Sequence, residues 1–175
     1  LRGVYGAIVE NRLICTANEE LISDNKNNIF IGDWCLQDTN VKKKIINLNY
    51  EICTYHYNEN QNKLKNDWLY LHDLYERVII AVTIKLNNYH KKNFSRKYWE
   101  TIVGPTVVQL LSIFWDRYET ITHLKKNFSI NEVAILKYDV SNCVTKDFEE
   151  LFENKIFDHF WNNCIFSEIL KDNFK

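Results

Sequence analysis

The sequence predicts an α/β fold, and three observations carry that expectation. Strand-sized apolar runs occur at Ile8–Thr16, Asn28–Trp34 and Tyr50–Tyr57, two long helical patterns occupy the region around Asn66–Tyr118, and the two kinds of segment alternate along the chain. With 175 residues and 46% hydrophobic content, the chain has the material for one ordinary domain spanning residues 1–175.

Taken in order, the first run is bounded by polar residues, and Ala17–Asn28 is too polar and Asn-rich to predict structure. Ile29-Phe30-Ile31 then runs into Gly32-Asp33-Trp34-Cys35, which places Asp33 and Trp34 at the carboxyl end of a strand. In open α/β sheets ligands collect at such ends, whereas the plainer reading is a turn followed by a buried Trp. Val41–Ile46 predicts a short helix with Lys42, Lys43 and Lys44 on a solvated face, and Asn58–Asn66 reads as a loop leading into a helix.

The first long pattern sets Leu64, Trp68, Leu71, Tyr75, Val78, Val82, Leu86 and Tyr89 at steps of three and four, which predicts a core-facing helix. The second begins near Asn93 or Ser95, whose side chains suit a helix N-cap, and runs through Tyr98, Trp99, Val107, Leu111, Trp115 and Tyr118. Gly104-Pro105 interrupts it, so a kink or a fresh helix is expected there. Together the two helices are expected to form the main wall of a packed domain. Glu132–Tyr138 suits a strand, although Ser129–Glu132 also has the form of a helix capping box, and Lys146–Phe152 and Ile156–Leu170 read as helical.

A net charge of −1 gives no electrostatic reason to expect nucleic acid or an anionic membrane. Five cysteines, odd in number and without a CxxC pair, argue against a disulfide framework or a zinc site and fit a reducing cytoplasm. No apolar run reaches the ~20 residues that span a bilayer. The absence of Met and the start at Leu1 suggest a fragment.

Several small constellations remain. His56 closes the third strand run, at a position expected to be exposed. His72 and Glu76 share a helix face and read as a hydrogen-bonding pair before a metal pair, while Asp73 and Arg77 read as an exposed ion pair. Asp116 and Arg117 are neighbours on a helix and point about 100° apart, so each is expected to need its own partner, with Asp67 or Glu76 suited to Arg117. Arg117 and His123 match the Arg-to-His spacing of helical HEPN-type ribonucleases, a minor alternative. There is no phosphate loop, nucleophile elbow or His-Glu-x-x-His helix.

The ordered combination of Ile29–Cys35, Tyr55-His56-Tyr57, Lys63-Leu64, Asp67, Leu74–Arg77, Leu86-Asn87, His90, Ser95, Tyr98-Trp99, Gly104-Pro105 and Asp116-Arg117-Tyr118 resembles one family. This is the group of transferases encoded in bacterial O-antigen and related surface-polysaccharide (lipopolysaccharide) biosynthesis clusters, and the resemblance runs from about Cys15 to Leu170. The chain departs from that pattern at Thr106, where an aromatic is expected, and at Glu100, where a basic residue is usual.

The resemblance implies a longer GT-B-like protein with two Rossmann-like domains, of which this chain is the N-terminal, acceptor-side portion, inactive alone. The implied partners are a sugar or polyol-phosphate acceptor and a C-terminal domain that binds a nucleotide-activated donor, with no cofactor held by this chain. The implied location is cytoplasmic or peripheral at the inner membrane. On this reading Asp33 and Trp34 bind substrate, with Trp34 stacked on a sugar face. His56 is a base toward an acceptor hydroxyl, and Arg117 offsets phosphate charge. The alternative from another class is a non-enzymatic helical interaction module.

Overall fold

A computed structural model describes residues 10–58 and 61–173, so Ile8 and Val9 of the first expected strand lie outside the described residues. The fold is mixed α/β. Its elements are β1 (Asn11–Ile14), β2 (Asn27–Phe30), α1 (Thr39–Ile45), β3 (Tyr50–Ile52), α2 (Gln61–His90), α3 (Arg96–Asn127), β4 (Glu132–Ala134), α4 (Phe148–Glu150) and α5 (His159–Asn173). Short 3-10 turns lie at Glu19–Leu21, Asp33–Leu36 and Val140–Cys143, and a π turn at Leu151–Lys155 follows α4. Two compact units divide the chain, residues 56–118 on one side and the described residues before and after them on the other.

The sheet unit holds four strands, all parallel, in the order β3-β2-β1-β4. Register is fixed by pairs such as Leu13 with Ile29 and with Val133. Successive strand residues point to opposite faces, yet Leu13 and Ile14 on β1 and Ile29 and Phe30 on β2 are all fully buried, so both faces of the sheet are covered. The cover comes from Val41 and Ile45 of α1, Ile121 and Leu124 at the end of α3, and Phe166 and Leu170 of α5. Asp38 caps α1 by accepting from the amides of Asn40 and Val41 at 2.7 and 3.1 Å, while Lys42, Lys43 and Lys44 face solvent as their pattern predicts.

The helical unit is a hairpin of α2 and the first part of α3. Ser95 Oγ accepts from the Tyr98 amide at 3.2 Å and starts α3, as expected. The break expected at Gly104-Pro105 does not end the helix, which runs through Pro105. Proline deprives only the Thr101 carbonyl of its partner, and both residues lie at the exposed surface where water can serve instead. Gly104 is buried because Tyr75 of α2 crosses there: a Cβ at residue 104 would sit 2.9 Å from the Tyr75 hydroxyl.

Neither long helix is the continuous core wall that its pattern suggests. Ile79 and Trp99 are buried, but Trp68 is 64% and Tyr89 82% exposed. Polar ties join the two helices instead, with the Tyr75 hydroxyl donating to Glu100 at 3.0 Å, Arg96 bridging Glu76 and Glu100, and the Trp99 indole donating to Asn87 at 2.9 Å.

Two further expectations are corrected. The capping box at Ser129–Glu132 does not begin a helix, because Glu132–Ala134 pairs with β1 as β4. Cys143 and Cys164 form a disulfide, with Cα atoms 6.9 Å apart, although the odd number of cysteines and the lack of a CxxC pair argued against a disulfide framework; the short turn at Val140–Cys143 brings the two together beside α5. Cys15, Cys35 and Cys53 are buried thiols. Among the described residues no helix is long and apolar enough to cross a membrane.

Because Leu124 is fully buried in the sheet core, Leu124→Ala leaves a cavity and lowers unfolding free energy by about 2–5 kcal/mol in urea titrations. Ile80→Ala, at a half-exposed position of α2, changes it by no more than about 0.5 kcal/mol.

Candidate functional site

In the sheet unit, the carboxyl ends of the parallel strands bring the chemistry-bearing residues to one edge. The chain builds β2 and β3 outward on one side of β1 and returns to β4 on the other, so winding reverses between β1 and β4. Parallel sheets of this kind bind ligands outside the strand ends at such a reversal.

After β1, the Thr16 hydroxyl donates to the His159 carbonyl at 2.9 Å, tying the strand end to the start of α5. After β4, the fully buried Asn163 clamps Leu136, accepting from its amide and donating to its carbonyl, both at 3.2 Å. After β2, Gly32 leads into the 3-10 turn that carries Asp33, exposed, and Trp34, half-buried against the core. The Trp34 ring lies so close over Gly32 that a Cβ there would overlap it. After β3, Thr54 Oγ1 lies 3.2 Å from His123 Nε2, and Asn127 donates to the His123 carbonyl at 3.0 Å.

Burial disfavours the thiolate form of the nearby thiols. Burial pushes Cys35 up to about 12, with Asp33 adding to it against hydrogen bonds from the backbone. Burial, reinforced by Cys35, also raises Cys15 well above the ordinary thiol range.

In the helical unit, His56, Asp116 and Arg117 meet on one carboxylate. His56 Nε2 lies 3.2 Å from Asp116 Oδ1, and Asp116 Oδ2 takes the Arg117 guanidinium. The pairing of these helix neighbours corrects the expectation that they could not reach each other, because the long arginine stem carries its head around the helix surface. His56, expected to be exposed, is only 2% exposed, whereas Asp116 and Arg117 each keep part of their side chain at the surface. The carboxylate fixes the orientation of the imidazole.

Beside it, Asp67 accepts from the Tyr57 hydroxyl at 2.9 Å and pairs with Lys63 one helical turn away. Burial alone would raise the Asp67 carboxyl, but hydrogen bonds from Lys63 and Tyr57 outweigh it and hold the group below the ordinary aspartate range.

The structure thus gathers His56 and Arg117 within the helical unit, and Asp33 and Trp34 at the β2 end of the sheet unit. His72, read as a partner of Glu76, lies parallel to the Trp68 ring, and Glu76 pairs with Arg96. Arg77, read as an ion-pair partner of Asp73, donates to the Asp73 carbonyl at 3.4 Å. Of the Arg117 and His123 pair, Arg117 falls in the helical unit and His123 in the sheet unit, where Thr54 engages it. Sequence reasoning passed over Thr54 and Asn163. A buried Asn between Trp161 and Cys164 on an otherwise apolar helix face was the available signal for the second.

Compared with known proteins, the family model described as LIC12162 family transferase matches residues 11–175. No curated protein and no solved structure matches the chain.

Two outcomes check this geometry. Gly32→Ala forces the Trp34 ring to move and lowers stability by about 1–3 kcal/mol, read as a lower urea midpoint with altered tryptophan fluorescence. Because the folded Asp67 carboxyl lies below its unfolded value, its contribution is fully present above about pH 4 and is lost as pH falls through the folded value. Asp67→Asn should therefore flatten the acid limb of the stability-against-pH profile while lowering stability at pH 7.

Proposed function

The chain belongs to the LIC12162 family of transferases, and from that premise we propose that it forms the N-terminal, acceptor-side part of a glycosyl- or polyol-phosphate transferase of surface-polysaccharide (O-antigen) assembly. The observation that carries this reading is the all-parallel sheet in the order β3-β2-β1-β4. That is the strand order of a Rossmann-like half, the kind of scaffold whose strand ends hold phosphorylated and nucleotide-linked substrates. The motif resemblance supplies the GT-B-like setting, with the nucleotide-activated donor bound by a further domain.

In this reading, within the sheet unit, Asp33 accepts a hydrogen bond from a sugar hydroxyl and Trp34 packs against a sugar face. Within the helical unit, His56, oriented by Asp116, takes a hydroxyl proton as that oxygen bonds to the carbon or phosphorus of the donor. The nucleotide leaves with the bonding electrons, and Arg117 offsets phosphate charge. A second reading, a helical interaction module without chemistry, is favoured by the exposed Trp68, Ile84 and Tyr89 on α2.

The test uses the full-length protein with a panel of nucleotide-activated sugars and polyols, measuring nucleotide release with sugar-phosphate and polyol-phosphate acceptors. Transfer with at least one donor is expected. His56→Gln, which keeps a donor toward Asp116, should lower kcat by about 10²–10⁴ without altering the melting profile. Trp34→Ala should act mainly on acceptor KM. No transfer with any donor, alongside a defined protein complex, would favour the module, and an unchanged kcat in His56→Gln removes the base assignment.

A further inference from the structure

The hairpin carries a cavity of about 410 Å³ between α2 and α3, with none of His56, Asp116 and Arg117 in its lining of Trp68, Leu71, His72, Tyr75, Glu76, Glu100, Val108, Leu111 and Ser112. We propose that this cavity is a saccharide-binding site, with the Trp68 ring as its platform and Glu76 and Glu100 as acceptors for sugar hydroxyls. The proposal does not depend on the transferase reading, since it concerns binding by the helical unit alone.

Three features select a neutral sugar ring. The first is an open aromatic face. Trp68 is 64% exposed, and His72 lies parallel to it within 7°, with ring centroids 5.9 Å apart. His72 lies alongside the indole, and the exposed ring surface offers a flat platform for the C–H face of a pyranose. A cage for an ammonium group instead needs aromatic faces converging from several sides.

The second is the state of the carboxylates. Arg96 Nη2 lies 2.8 Å from Glu76 Oε2 and 3.3 Å from Glu100 Oε1, and the latter oxygen also accepts from the Tyr75 hydroxyl. Arg96 offsets much of their charge, which weakens the pull on a cation. Among the described residues, Glu76 Oε1 and Glu100 Oε2 keep their lone pairs for a ligand, so the pair can accept from hydroxyls on one edge of a ring. Burial and the Glu100 carboxylate both raise the Tyr75 phenol, which therefore keeps its proton and continues to orient Glu100.

The third is the opposite wall. Leu71, Val108 and Leu111 are apolar, and Ser112 spends its donor on the Val108 carbonyl at 2.9 Å, which leaves its oxygen as an acceptor. A ring with hydroxyls at one edge and C–H groups on its faces satisfies both walls. The volume lies in the range of small-molecule sites.

Saturation-transfer NMR on the full chain tests the proposal, using glucose, galactose, mannose, N-acetylglucosamine and rhamnose, with tetramethylammonium as the cationic probe. At least one pyranose should bind with Kd below about 10 mM. Trp68→Ala, at an exposed helix position that tolerates alanine, should weaken it roughly tenfold, and Glu76→Gln should weaken it severalfold. His56→Gln should leave this binding unchanged, which separates failure of the cavity from failure of the transferase reading. Binding of tetramethylammonium without any sugar, no sugar binding in the panel, or an unchanged Kd in Trp68→Ala would each overturn the proposal.

Discussion

β1 is hydrogen-bonded along both edges, to β2 on one side and β4 on the other, and the sheet unit depends on that double pairing. A four-residue strand has few groups of its own to bury. With both edges paired and Leu13 and Ile14 buried on opposite faces, it obliges helices to cover the sheet from both sides. Parallel neighbours also cannot be joined by tight turns, so each crossover must be long. The crossover from β3 to β4 is the longest, and it contains both α2 and α3. The same topology reverses the winding at β1 and gathers Thr16, Asp33 and Thr54 at the strand ends.

The helical unit solves a different problem. With Ile79 and Trp99 as its buried apolar residues, it cannot rely on a large core, and polar ties set the register of the two helices. Each neutral tie contributes only ~1 kcal/mol net, but a buried or half-buried polar group left unsatisfied costs more, so mispaired registers are penalised. Asp116 and Asp67 act as organising carboxylates near His56, and Arg96 does the equivalent work for Glu76 and Glu100 farther along.

The α/β class, the two long helices and most strands were legible because periodicity reports local geometry directly. Ser95 as an α3 cap and the exposed Lys42–Lys44 face follow from side-chain chemistry alone. What periodicity cannot report is which apolar face finds a partner, and Trp68 and Tyr89 match a core pattern while lying exposed. Pro105 leaves a kinked helix and a fresh one both open in the sequence, because its cost depends on whether the freed carbonyl reaches water. The meeting of His56 with Asp116 is a contact across 60 residues, and the Cys143–Cys164 bond likewise depends on how turns place the chain. Neither has a signature in spacing.

The proposed substrate site lies at the carboxyl ends of the parallel strands, while the amino ends carry the Lys26 pairs with Glu10 and Glu132 and a run of asparagines. Hydrogen–deuterium exchange of the full-length protein, with and without a panel of sugar phosphates and polyol phosphates, separates the two edges. Ligand-dependent protection is expected in segments 15–18, 31–35, 53–55 and 135–137. Protection confined to residues 24–27 and 47–49, at the opposite edge, would contradict binding at the strand ends.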